Sequence, residues 1–332
     1  MKSSKEQDLA VVTGAGGFIG SHLTERLLKE GMRVRALVRY NSSHDIGFLR
    51  DLAPTLRKRL DIVHGNVEDS RQVGELCQGA RWVFHLAALI GIPYSYSAPG
   101  SYVNTNILGT LNILEAGKRH HAEKILVTST SEVYGTALFT PMTTDHPLQA
   151  QSPYSATKIA ADKLAESYAR SFAVPVMIIR PFNTYGPRQS MRAVIPTIIV
   201  QALTSKRVCL GDPTPVRDLN YVADTVDGFL RAARQGKPDG RVYQFASGRG
   251  ISIGELAKEI LEILGCDIPI VSETKRFRPE ASEVRRLIGD AAIAKRDLEW
   301  NSTVSLRTGL KKTIDWIRKN LPRFPQTADY IR

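Results

Sequence analysis

A short apolar run that ends in glycines constrains this chain more than any other feature. Residues 9–14 read LAVVTG, and the run continues as GAGGFIG, so that Gly14, Gly17 and Gly20 recur at every third position. The first glycine allows a tight turn, the second a close backbone approach to a pyrophosphate, and the third close packing of helix on strand. Residues 18–30 then carry apolar positions at helical spacing and stop at Gly31, a C-cap signal. A helix N-terminus aimed at the turn makes an anion cradle, with Gly14, Gly17, Phe18, Ile19 and Gly20 as its contacts. The spacing is not G-x-G-x-x-G, so the turn alone leaves open a plain strand-to-helix connection.

The alternation continues. MRVRALV (32–38), DIVHGN (61–66), RWVFHLAA (81–88), KILVTST (124–130) and VPVMIIRPF (174–182) read as strands separated by helical stretches. Strands alternating with helices imply right-handed crossovers and a Rossmann-like, doubly wound parallel α/β sheet, with ligands at the carboxyl ends of its strands. Beyond residue 183 Pro187, Pro196, Pro213 and Pro215 punctuate shorter elements, and helices resume near 222–234, 252–264 and 305–319. The expected division is a dinucleotide-binding and catalytic domain over 1–183 and a smaller α/β substrate domain over 184–332. Segments within 218–248 are expected to return to the large sheet.

The 332 residues, 42% of them hydrophobic, suffice for one large domain or two coupled ones. The formal charge is +12, but the basic residues are spread, with no run and no interleaved aromatics. That favours attraction for an anionic small molecule over nucleic-acid binding. The opening MKSSKEQD has no apolar h-region, and no run is long enough to span a membrane. Cys77, Cys209 and Cys266 lack metal spacing and read as reduced thiols of a cytoplasmic protein, with no metal site.

The second strand ends in Val38-Arg39-Tyr40-Asn41-Ser42-Ser43, with no acid for an adenosine ribose. A guanidinium binds a 2′-phosphate bidentately, so the pattern leans to NADP through Arg39, helped by Asn41 and Ser42, with NAD the alternative. In SPYSATK (152–158) Ser152 suits an N-cap and Pro153 the first helical position. Tyr154 and Lys158 then share a helix face, and the ammonium is expected to draw the phenol pKa down towards working pH. TSTSEVYG (128–135) sets Thr130 and Glu132 at a strand end, where such a sheet holds its reactive groups.

Together these residues resemble the extended short-chain dehydrogenase/reductase family of NAD(P)-dependent nucleotide-sugar epimerases and dehydratases. The likeness covers essentially the whole chain. It rests on Gly14-x-x-Gly17-x-x-Gly20, His85-Leu86-Ala87-Ala88, Asn106-x-x-Gly109-Thr110, Thr130, Tyr154-x-x-x-Lys158 and Arg180-Pro181-Phe182-Asn183-x-Tyr185-Gly186-Pro187. Arg217-Asp218-x-x-Tyr221-Val222-x-Asp224 and Arg278-Pro279-Glu280 extend it. The resemblance implies Thr130, Ser131, Glu132, Tyr154 and Lys158 as the catalytic group. It implies further cofactor contacts at Asn66, Val67, Leu86, Ala87, Ala88, Asn106, Thr128, Pro181 and Asn183. A nucleotide-diphosphate sugar would meet Asn183, Arg217 and Arg278, with Val194, Ile195 and Pro196 beside the base and Arg192 and Tyr94 as further contacts. Tyr94 and Tyr96 lie in a loop that either covers the sugar or faces solvent. His85 reads as packing, and Asp218 and Asp224 as anchors of loops. Helices at about 97–119 and 153–172 would pair a homodimer.

The family members share oxidation at the sugar C4 and differ in the later steps. A 4-epimerase needs no further acid or base, and an idle buried carboxylate is costly. A 4,6-dehydratase needs a base for the C5 proton and an acid for the departing 6-hydroxyl. Glu132 can serve, and a hydrophobic site would raise its pKa into a useful range. Uronate decarboxylases carry a similar Thr-Ser-Glu and need an arginine for the carboxylate, for which Arg188 and Arg192 are candidates. Dehydratases of the dTDP-glucose type place Asp where Ser131 stands. GDP-mannose dehydratases carry Thr-Ser-Glu and use NADP. LIGIPYSY (89–96) with RPFNTYGPRQS (180–190) resembles 4,6-dehydratases of UDP- or GDP-N-acetylglucosamine in nonulosonic acid routes. From another class, a non-catalytic dinucleotide-binding regulator would not need both Tyr154 and Lys158.

Overall fold

The computed structural model describes residues 8–324; the opening MKSSKEQ, considered for targeting, lies outside them. Its strands are β1 (Leu9–Thr13), β2 (Arg33–Arg39), β3 (Leu60–Gly65), β4 (Trp82–His85), β5 (Lys124–Thr128), β6 (Val176–Pro181), β7 (Asn183–Tyr185), β8 (Val208–Leu210), β9 (Val216–Tyr221), β10 (Asp239–Phe245), β11 (Gly250–Ser252), β12 (Ile270–Ser272) and β13 (Arg286–Leu287). Its α-helices are α1 (Phe18–Lys29), α2 (Pro54–Arg57), α3 (Ser70–Cys77), α4 (Ile92–Ser97), α5 (Pro99–Tyr102), α6 (Gly109–Arg119), α7 (Pro153–Phe172), α8 (Val194–Thr204), α9 (Val222–Gln235), α10 (Ile253–Leu264), α11 (Ala292–Leu298) and α12 (Leu306–Lys319).

Seven parallel strands form the large sheet in the order β10-β6-β5-β4-β1-β2-β3. Strand order reverses between β1 and β4, so the crevice at their carboxyl ends is the topological switch point where ligands bind in such sheets. Strands covered on both faces need continuous apolar runs. In β5 the three middle residues, Ile125, Leu126 and Val127, are all fully buried.

A second sheet runs β11-β9-β13, with β7 pairing to β9, and β12 pairs with β8. Of residues 218–248, only β10 lies in the large sheet, beside β6; most of β9 falls in the same stretch and lies in the second sheet. A row of buried rings stitches the chain halves together. Phe84 of β4 meets Phe229 of α9, Phe229 meets Phe245 of β10, and Phe245 lies 4.9 Å from Trp300. Burying each such side chain is worth about 1.5–3 kcal/mol.

The strand expected over 124–130 stops at Thr128. Thr130 Oγ1 accepts the Glu132 N–H (3.2 Å) and caps a 3₁₀ turn over Ser131–Tyr134. Gly135 ends that turn at φ 63°. The helical stretch expected over 97–119 is broken into α5, a π-helical turn over Val103–Leu108, and α6. α7 begins as its sequence predicts: Ser152 and Ser155 cap each other reciprocally and Pro153 leads the helix. Among the described residues no helix is long and apolar enough to cross a membrane.

Candidate functional site

The glycine turn is held by backbone contacts that leave no room for a side chain at Gly14, Gly16 or Gly20. Gly14 has φ +67°, and a Cβ there would lie 2.9 Å from the Ala87 nitrogen. A Cβ on Gly20 would lie 2.2 Å from the Gly14 carbonyl oxygen. α1 therefore starts hard against β1. Its N-cap, Gly17, offers no side-chain cap, and no acid sits in the first turn. The N-terminal N–H groups and the positive end of the helix dipole face the turn, which suits a pyrophosphate. Phe18 and Ile19 are half-buried at this start.

Below the turn lies a buried polar relay. Thr13 Oγ1 accepts the N–H groups of Leu86 (3.1 Å) and Ala87 (3.0 Å) and lies 2.9 Å from His85 Nδ1. Having accepted twice, the hydroxyl donates to Nδ1, so His85 carries its proton on Nε2. Nε2 lies 3.2 Å from Thr110 Oγ1, which in turn donates to the Asn106 carbonyl (2.6 Å). Burial pushes the His85 imidazole down to about 3, assisted by the Lys158 charge. It stays neutral and fixes the loop after β4. The Asn106 side chain continues the work: it pairs with both backbone groups of Leu89 and donates to Thr157 Oγ1 on α7.

At the end of β2 Arg39 is exposed and its guanidinium has no hydrogen bond or ion pair among the described residues. Asn41 does not join it as expected. Its amide donates to the Arg39 and Asp45 carbonyls, and its oxygen accepts from Ser43 and the Asp45 N–H. The side chain is used up in closing the turn, which leaves Arg39 and the exposed Ser42 for a ligand. Asn66 is likewise engaged: its oxygen accepts the Glu68 N–H (3.2 Å). Val67 is buried.

The end of β5 faces α7. Tyr154 and Lys158 are both buried, and Lys158 Nζ donates to the Thr128 carbonyl (2.6 Å). Burial pushes the Tyr154 phenol above its usual range, and Glu132, Tyr102 and Asp162 push the same way; the Thr130 hydroxyl alone opposes them. This corrects the expectation that Lys158 draws the phenol down in the protein by itself. The ammonium is committed to a carbonyl, and burial has lowered Lys158 to about 8, against the pull of Asp162. Two nearby acceptors are buried without a partner, Thr128 Oγ1 and Asn183 Oδ1. An orphaned oxygen costs desolvation until a ligand donor meets it, so both fit a bound nicotinamide dinucleotide and sugar. Pro181 is buried in β6.

Glu132 is half-buried, and its carboxylate makes no hydrogen bond or ion pair among the described residues. It is close enough to act on Tyr154 on one side and Arg217 on the other. Ser131 is buried beside it. Arg217 is itself buried and bridges to Glu283 (3.2 Å). Arg278 approaches the same Glu283 oxygen at 3.6 Å, and its Nη1 is buried without a hydrogen bond. Two guanidinium groups thus converge on one Glu283 oxygen, a pairing of donors that suits a diphosphate.

Tyr102 packs edge-on to Tyr154 (6.3 Å), and Tyr94 leans on Tyr102 (6.1 Å), so an aromatic path leads from the surface to the phenol. The neighbouring Tyr96 hydroxyl meets Ser282 Oγ, which donates to the Gln151 carbonyl, clasping α4 to the loop that carries Arg278 and Glu283. Arg192 is exposed but near enough to act on Tyr102. Arg188 is turned elsewhere, onto Glu25 (2.6 Å) and Ser21 of α1, which removes it from the carboxylate-binding candidates. At the start of α8 Ile195 is packed in the core, Pro196 is buried and Val194 is half-buried. Asp218 accepts four hydrogen bonds, from Ser247 N and Oγ, Gly248 N and Gly289 N, and Asp224 holds Thr303 and Val304. Both anchor loops. Sequence reasoning missed Thr13, Ser129, Thr157 and Asp162. Only Asp162 left a signal, as an acid one helical turn beyond Lys158.

Comparison with known proteins agrees with this geometry. A family model described as GDP-mannose 4,6 dehydratase matches residues 11–313. A dTDP-glucose 4,6-dehydratase of Streptomyces antibioticus is 32% identical over 318 residues, covering 93% of this chain and 92% of that protein. A UDP-glucuronate 4-epimerase of Thermodesulfobacterium geofontis is 31% identical over 324 residues, covering 94% and 96%. The crystal structure of a dTDP-glucose 4,6-dehydratase from Streptomyces venezuelae, with NAD bound, superposes with a TM-score of 0.85 at 28% identity, covering 96% of this chain and 100% of that one.

Proposed function

The chain belongs to the nucleotide-sugar epimerase and dehydratase family of the extended short-chain dehydrogenases, and from that premise we propose that it is a 4,6-dehydratase of UDP- or GDP-N-acetylglucosamine. One observation carries the reading: the Glu132 carboxylate, which makes no hydrogen bond or ion pair among the described residues, is near enough to act on both Tyr154 and Arg217. A 4-epimerase gains nothing from such a group, whereas a dehydratase needs it.

The bound dinucleotide supplies hydride exchange and, when oxidised, a positive charge in the pocket. Tyr154 takes the proton of the sugar 4-hydroxyl as C4 gives up hydride, and Thr130 donates a hydrogen bond to the same oxygen. The 4-ketone so formed acidifies C5. Glu132 removes the C5 proton and, now protonated, delivers it to the departing 6-hydroxyl, which leaves as water. Hydride returns to C6, C5 takes a proton from solvent, and the proton held by Tyr154 passes to solvent, giving a 4-keto-6-deoxy sugar with no net redox change. Arg217 and Arg278 hold the diphosphate, and Asn183 Oδ1 accepts from the substrate. Ser131, buried beside Glu132, is the candidate for contact with the leaving oxygen. The choice of N-acetylglucosamine rests on the likeness of residues 89–96 and 180–190 to that subgroup.

The cofactor reading is NADP, supported by Arg39, whose guanidinium has no partner among the described residues, and weakened by the capture of Asn41; the Streptomyces venezuelae relative carries NAD. Exposed Val103 and Leu108 beside α6 and Phe172 at the end of α7 support a homodimer through these helices; a monomeric mass in solution would contradict it.

The test is mass spectrometry after incubating the protein separately with UDP-N-acetylglucosamine, GDP-N-acetylglucosamine, GDP-mannose and UDP-glucuronate, without added cofactor, then with NADP, then NAD. A product lighter by one water supports the dehydratase. Glu132→Gln is expected to lose dehydration and keep C4 oxidation; unchanged product formation sinks the role given to Glu132. One observation favours a second reading. Arg192 lies near the aromatic path, where a cation could hold a 6-carboxylate. Epimerised or decarboxylated UDP-glucuronate would move the assignment there.

A further inference from the structure

The proposed reaction leaves one strongly placed group unused. Asp162 lies on α7 one turn beyond Lys158 and is almost fully buried. Its Oδ2 accepts from Ser129 Oγ (2.7 Å) and from Arg180 Nη2 (2.7 Å). Its Oδ1 is buried with no hydrogen bond among the described residues. Arg180, on β6, extends the pair to the Tyr134 hydroxyl, which donates to Gln244 on β10. One carboxylate thus ties the catalytic helix to β6 and, through Ser129, to the end of β5. Ser129 sits between Thr128, whose carbonyl receives the Lys158 ammonium, and Thr130.

We infer that Asp162 is a positioning residue for the oxidation step: its charge keeps Lys158 an ammonium inside a buried site, and its bond to Ser129 sets the strand end that receives it. This rests on the reading of Lys158 as the partner of Tyr154. The physical need is plain. A buried lysine tends to lose its proton. Among the described residues the Lys158 ammonium makes one hydrogen bond, to a neutral carbonyl. Around the first turns of α7 stand Tyr154 on the helix itself, His85 on β4, Arg180 on β6, Glu132 and Tyr134 on the turn after β5, and Tyr102 on α5. His85 is neutral and the tyrosines are protonated. Asp162 is the one charge that raises Lys158 towards its ordinary value, and Glu132 acts on Tyr154 and Arg217 instead. Arg180 meets the same Asp162 oxygen as Ser129 and reaches on to Tyr134, a residue of the turn after β5.

The experiment is a 13C NMR titration of protein labelled at the lysine Cε, with the Lys158 signal identified by its loss in Lys158→Met. Asp162→Asn leaves Arg180 buried without its partner and can unfold the chain. The double variant Asp162→Asn/Arg180→Met is therefore titrated beside it. In whichever of the two folds, the Lys158 midpoint is expected to fall by about one pH unit or more, a tenfold change in its protonation equilibrium. Asp162→Glu, which keeps the charge, should return the midpoint towards the wild-type value. Ser129→Ala, which removes the bond to the strand end but no charge, should move the midpoint less than loss of the Asp162 charge does; equal shifts would reduce Asp162 to holding the strand end. An unmoved midpoint in the folded double variant overturns the inference. Tyr154→Phe is assayed in parallel. If it turns over normally, the oxidation reading fails; if it is inactive while the midpoint stays put, the positioning role alone fails.

Discussion

Replacing Thr13 by valine should cost this protein more than its single hydroxyl suggests. The side chains are nearly isosteric and the site is fully buried, so no cavity or clash forms. What changes is hydrogen bonding. Thr13 Oγ1 serves the N–H groups of Leu86 and Ala87 and the Nδ1 of His85 at 2.9–3.1 Å. The variant leaves three groups with no substitute. Each unsatisfied buried polar group costs about 1–3 kcal/mol. Groups sharing one partner relax together, so the sum is not simply additive, and about 3–4 kcal/mol is expected. That is a large part of the roughly 5–15 kcal/mol typical of a native domain. Urea denaturation of the valine and serine variants measures it. Serine keeps the hydroxyl and should lose only about 1 kcal/mol, for one methyl group. A valine variant within about 1 kcal/mol of wild type would refute the relay and the His85 tautomer deduced from it.

Three further outcomes are expected of the same structure. His85 is pushed down to about 3 and His22 to about 4, both chiefly by burial, from 6.5 when unfolded. The unfolded chain then binds up to two more protons between about pH 4 and 6.5, so this stabilisation is complete above pH 6.5 and falls by at most about 2.7 kcal/mol per unit as pH drops towards 4. A urea midpoint flat from pH 7 to 5 would contradict it, and His22→Gln should reduce the slope. Gly20→Ala puts a Cβ 2.2 Å from the Gly14 oxygen. It should cost about 1–3 kcal/mol and weaken dinucleotide binding, read by thermal denaturation with and without cofactor. Gly100→Ala, with nothing within 4 Å, is the neutral control. Arg39→Ala should weaken NADP binding about tenfold and leave NAD binding nearly unchanged, a loss of one charge-assisted contact; equal effects on both, by calorimetry, would remove Arg39 from the phosphate site.

What was legible in the sequence is what depends on near neighbours. The glycine turn, the Ser152-Pro153 helix start and the pairing of Tyr154 with Lys158 are written within a few residues, and the periodic strands announced the parallel sheet. The partners that span the chain were not legible. Arg188 looked free for a substrate because Glu25, 163 residues away, gave no hint of claiming it. Asn41 looked like a phosphate ligand because its type suits one, and only the turn geometry shows its amide consumed. The Thr13–His85–Thr110 relay joins three strand and helix positions whose types are commonplace. Lys158 acting on Tyr154 was expected from spacing alone, and burial reverses the sign of the result.

The seventh strand of the large sheet, β10, has a consequence for how the molecule is made. A ribosome emits β1 through β6 first, and the catalytic residues with them, yet the outer edge of β6 stays bare until residues 239–245 emerge. The ring of Trp300 that backs Phe245 comes later still. The nascent chain thus carries a complete set of reactive groups on an unfinished sheet. Its last quarter acts as a keystone: a chain cut at residue 183 is expected not to fold, and one broken off before Trp300 should be cleared as unfolded rather than persist as a partial enzyme.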